Sequence, residues 1–153
     1  MVLLDLMDAI AVHAVAAAAA AGGATFTDVA VGFPVGKGRC VRVFYAGERQ
    51  PERFDTDETL TSKLVSQGIS VRGYWPTAST ATKEQRAIEG QMAALVKELR
   101  TRVLGDSRLA GKAKDGLKMH LAAADQVSIA GTQYAVVDIE IVVDYDEYSV
   151  AVV

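Results

Sequence analysis

TQYAVVDIEIVVDY, residues 132–145, decides the fold of this chain. From Ala135 onward every second residue is apolar: Ala135, Val137, Ile139, Ile141, Val143 and Tyr145. Between them stand Tyr134, Val136, Asp138, Glu140, Val142 and Asp144. Successive side chains of a strand point to opposite sides. A period of two, with β-branched residues on one side and carboxylates on the other, therefore marks a half-buried strand. So long a strand is expected to form the spine of a sheet whose second face is wet. The dry face needs a covering layer, and two helix-like stretches lie upstream.

The first is VLLDLMDAIAVHAVAAAAAA, residues 2–21. Leu3, Leu6, Met7, Ile10 and Ala14 follow helical spacing, with Asp5 and Asp8 off that stripe. Alanine has the highest helix propensity, and Gly22-Gly23 supplies a stop. The stretch lacks the basic leader of a signal peptide, and Asp5, Asp8 and His13 interrupt its apolar run, so no membrane span is expected. Its alanine-rich second half suits close packing against another surface, such as a neighbouring subunit. The second stretch covers 83–104, with Ile88, Met92, Leu95, Val96, Leu99 and Val103 on one face. Thr82 and Gln85 fit a capping box before it, and Gly105 fits the position just past its end.

The remaining elements are shorter. Residues 26–33 read as a strand closed by Pro34, and 39–48 (RCVRVFYAGE) as a firmer one carrying Val41, Val43 and Tyr45 on one side. Residues 47–57 (GERQPERFDTD) are polar and contain Pro51, which predicts an exposed loop. A strand follows over 60–75, with Gly68 as a possible bulge position and Pro76 as its end. Residues 77–82 form a Ser/Thr-rich connection, and 106–116 (DSRLAGKAKDG) a second exposed loop. Residues 117–121 alternate like a short strand, and 124–131 turn into the final strand. The order helix, strands, helix, strands predicts a single α+β domain. Its mixed, mainly antiparallel sheet should carry two helices on one face and a polar, acidic other face.

Composition narrows the function classes. The 153 residues are 50% apolar and 23% charged, which fits one globular domain with one core. A net charge of −3 gives the chain no general affinity for nucleic acid. The single cysteine, Cys40, excludes an internal disulfide framework and a cysteine-rich zinc site. Two phosphate-loop lookalikes fail: 105–113 (GDSRLAGKA) has the wrong spacing and ends on Ala, and 32–38 (GFPVGKG) is too short. No nucleophile elbow, His/Cys pair or metal-binding His pair appears, so neither a catalytic residue, a cofactor nor a metal is assigned.

Charge is unevenly distributed. Over residues 83–118 bases outnumber acids nine to five, and no Lys or Arg follows Lys118. Asp138, Glu140 and Asp144 share one side of the final strand and are the candidate functional carboxylates. Arg49 and Arg53 in the first polar loop, and Arg108, Lys112 and Lys114 in the second, are the candidate partner contacts.

In layout the chain resembles the tail terminator (tail-completion) proteins of long-tailed bacteriophages. The likeness rests on LLDLMDAIAVHA, the hairpin around VRVFYAGE, the RGYW strand at 72–75, EGQMAALVKELRTRVLGD, the RLAG that follows, and YAVVDIEIVVDYDEY. It implies a virion protein that forms a ring with copies of itself, typically six, and caps the tail-tube protein. Such a ring stops tube polymerisation and joins the head-side connector. DNA would pass its channel without specific binding, and Asp138, Glu140 and Asp144 would face that lumen or an adjacent subunit. Another neck or minor tail protein of the head-closure type remains open. So does, in a different class, a small cytosolic α+β ligand-binding domain or enzyme.

Overall fold

A computed structural model of the chain describes residues 2–22, 38–56, 60–77, 82–106, 109, 113, 117–120 and 123–150. The side chains of 48–64 and 146–150 are outside that description. So are residues 26–33, expected as a strand, and Arg108, Lys112 and Lys114.

The elements run α1 (Val2–Gly22), β1 (Cys40–Thr56), β2 (Leu60–Pro76), α2 (Thr82–Gly105), β3 (Lys118–Met119), β4 (Ala123–Ile129) and β5 (Thr132–Val150). The sheet is antiparallel throughout, ordered β1-β2-β5-β3, with β4 also paired to β5. Both helices lie on one face of it. The fold is the expected α+β arrangement.

Helical periodicity explains the covered face. Leu6, Ile10, Ala14, Ala17 and Ala18 of α1, and Met92, Leu95, Leu99 and Val103 of α2, share one core. From the sheet they meet Val41, Val65, Ile69, Val71, Trp75 and the alternate residues Val137 to Tyr145 of β5. The small alanines let α1 come close to this core, so part of its alanine-rich half is buried within the subunit. Trp75 is fully buried, and its indole N–H donates to Gln91 Oε1 at 2.9 Å. Gly73 lies between them on the same face. A Cβ there would lie 2.7 Å from a methyl carbon of Leu95 and 2.8 Å from the Trp75 ring. Only glycine permits that approach.

Three expectations require correction. Residues 47–56 are not an exposed loop: β1 continues through them, paired to β2 as far as Thr56↔Thr61. Arg49 and Arg53 therefore belong to a strand. Apolar alternation is not needed where backbone hydrogen bonds to a neighbouring strand hold the chain. Pro51 is tolerated because it falls at a register shift between Gln50 and Arg53, on a strand at the end of the described sheet order. The extra residues of the bulges all lie in β1, so Gly68 stands opposite one (Gly47↔Gly68) rather than forming it.

Residues 123–129 are likewise a strand, where a turn was expected. Ala130 (φ 50) and Gly131 (φ 80) connect it to β5, and two successive positive φ values match the tight turn that suits strand twist. The alternation of AADQVSI is weak because its apolar residues are few, yet all seven pair with β5.

Candidate functional site

The register of the sheet defines its second face. Asp138, Glu140 and Asp144 of β5 stand opposite Arg72, Ser70 and Ser66 of β2. Arg72 in turn stands opposite Arg42 of β1. This face is polar in its middle and apolar at one end. There Cys40, Tyr74, Tyr134 and Val136 form a second buried cluster, with Val127 and Ile129 of β4 packed on it. The two tyrosine rings meet edge-on at 5.8 Å. Cys40 is buried in this cluster and forms no disulfide.

Asp138 is held by Arg72 in a two-pronged contact. The guanidinium Nε and Nη2 donate to the two carboxylate oxygens at 2.5 and 2.9 Å. Charged forks of this kind are directional as well as attractive. The Asp138 hydrogen bonds hold the Arg72 guanidinium above its ordinary pKa, against the opposing effect of burial. Arg42 and Arg72 both lie over the Phe44 ring, with Cζ 4.4 and 5.4 Å from its centre. The acids of β5 are base-free only along their own strand; across the sheet Arg72 neutralises one of them.

Next to the pair is a shallow depression of about 250 Å³, lined among others by Phe44, Ser70, His120 and Glu140. The backbone N–H of His120 donates to the Glu140 carbonyl at 2.9 Å, which fixes β3 beside β5. Asp144 lies farther along. Its Oδ1 and the Ser66 Oγ opposite are buried without a hydrogen-bond partner among the described residues. No three metal-ligating side chains converge among the described residues.

His13 has a structural contact: its Nε2 is 2.8 Å from Asp106 Oδ2, tying α1 to the end of α2. Of the sequence-predicted residues, the sheet brings Asp138 and Glu140 together at one depression and sets Asp144 apart. Arg49 and Arg53 lie in β1, where the pairing runs Gln50↔Ser66↔Asp144 and Arg53↔Leu64↔Asp146, so both fall at the Asp144 end of the sheet and away from Asp138 and Glu140. Arg42, Phe44 and Arg72 were not singled out by sequence. Their alternation along two strands was visible, but the pairing that joins residues 66 positions apart was not. No protein-family model matches the chain, and no curated protein matches it.

Proposed function

We propose that the protein is a structural virion component of a long-tailed phage, a tail terminator that works as a ring of identical subunits. In this role it caps the tail tube, ends its growth and meets the head-side connector, with no catalytic step or cofactor assigned to it. The observation that carries the reading is the length of the β2–β5 ribbon. All 17 residues of β2 pair with β5 without a register break. At the rise of a strand they span about 55 Å. A compact domain of this size is on the order of 40 Å across. Among the described side chains the buried core covers 65–75 and 135–145, and the backbone pairing continues to Leu60↔Val150. A ribbon that outruns its own domain suits contacts with neighbouring subunits or a tube end.

Asp138, Glu140 and Asp144 face away from the helices. In the proposed ring they line the channel or an adjacent subunit, where carboxylates keep passing DNA from sticking. The Arg72–Asp138 pair lowers that negative charge at one position.

The test is polymerisation of the virus's own tail-tube protein with and without this chain. Short tubes closed at one end, with a ring at that end, are expected. Tubes that grow to the same lengths in both mixtures would overturn the proposal.

A further inference from the structure

Helix α1 is apolar on its outside as well as its inside. Leu4, Val12 and Val15 are 54%, 69% and 38% exposed, on the side away from the core. The only charges on that helix, Asp5 and Asp8, lie on this side and are exposed. A helix apolar all round is normally covered on all sides.

The outer face of α2 has the complementary character. The helical period aligns Arg86, Gly90, Ala93 and Lys97 opposite the buried stripe, and all four are exposed. A Cβ at Gly90 would meet nothing within 4 Å, so the middle of this face is open and carries only the small Gly90 and Ala93 between two bases. The nearest acid, Glu89, is turned toward the β4–β5 hairpin, where it lines a cleft of about 380 Å³. Among the described residues none of Asp5, Asp8, Arg86 and Lys97 is in an ion pair.

We infer that the outer face of α1 seats on the outer face of α2 of a second copy of this chain. Val12 and Val15 lie over the small residues Gly90 and Ala93, and Asp8 meets the flanking bases. An α1 face set on another α1 face would leave Asp5 and Asp8 of both copies without a base to meet, so α1 seats on α2 instead. In the proposed ring this contact between unlike faces is head-to-tail, which propagates and closes when the rotation allows. Within one subunit α1 packs on α2 and β1, and α2 also on β2 and β5, so the exposed side of each helix is left for another copy. This inference rests on the ring proposed above and assigns its interface.

The experiment is sedimentation of the full chain with its tube protein, comparing wild type with Asp8→Lys, Val12→Lys and Arg86→Glu/Lys97→Glu. Each variant should keep its melting temperature and weaken subunit association at least tenfold. Asp8→Lys combined with Arg86→Glu/Lys97→Glu should return to within a few-fold of wild type. Rings that form equally well in every variant would overturn the interface while leaving the ring standing. A wild-type chain that never associates would overturn both. The segment Leu3–Ala21 is also long and apolar enough to cross a membrane. Flotation of wild type, but not Val12→Lys, with phosphatidylglycerol vesicles and no ring would give the face to lipid and overturn the inference.

Discussion

The two faces of the sheet are made from the same strands and do opposite things. On the helix-covered face alternate residues of β2 and β5 are buried against α1 and α2, and one glycine is compulsory. On the other face the half-exposed charges Arg72, Asp138, Glu140 and Asp144 stand among buried Ser66 and Ser70, and only one end carries a small buried cluster around Tyr74 and Tyr134. The difference teaches that stability is concentrated on one side, which leaves the other free to carry charge for an external purpose.

The comparison can be broken most easily on the covered face. Leu95→Ala or Leu99→Ala removes a fully buried side chain and should lower unfolding free energy by about 2–5 kcal/mol in urea titration. Gly73→Ala comes next, at about 1–3 kcal/mol, because the new methyl group overlaps Leu95 and the Trp75 ring. A double variant with Leu95→Ala sharpens the point: the Gly73→Ala penalty should shrink once the leucine is gone, as contacting sites are not additive.

The polar face should respond weakly. Arg72→Ala should lower stability by about 1 kcal/mol, since both partners are partly exposed (25% and 30%) and screened. The Arg72→Ala/Asp138→Ala double variant should lose no more than Arg72→Ala alone in the same titration. Smallest of all is Asp144→Asn, expected within about 0.5 kcal/mol of wild type in thermal melts. Its buried Oδ1 makes no hydrogen bond among the described residues, so removing the charge forfeits no contact. An effect above that of Gly73→Ala at any of these polar positions would contradict the division of labour between the faces.

Legibility in the sequence followed the same division. The stripe from Ile88 to Val103 and the alternation from Ala135 to Tyr145 were readable because burial imposes a period on the chain. The second half of β1 was not, since GERQPERFDT is held by backbone pairing to β2 and carries no apolar period. β4 escaped for a related reason: only Val127 and Ile129 of its seven residues pack on a cluster. The positions of Asp138 and Glu140 on one face were readable from parity alone. Their surroundings were not, because Arg72 and Arg42 reach them through a register fixed by three strands. The same non-local pairing explains why an apparently acidic strand turned out to have a guanidinium beside its first carboxylate.

The central claim is that this chain acts as a closed ring of copies. Native mass measurement of the 16.2 kDa chain bound to its tube protein tests it most directly. The account predicts one discrete closed species of six copies at the tube end. A single copy per tube end, or an open series of masses without a preferred number, would contradict it.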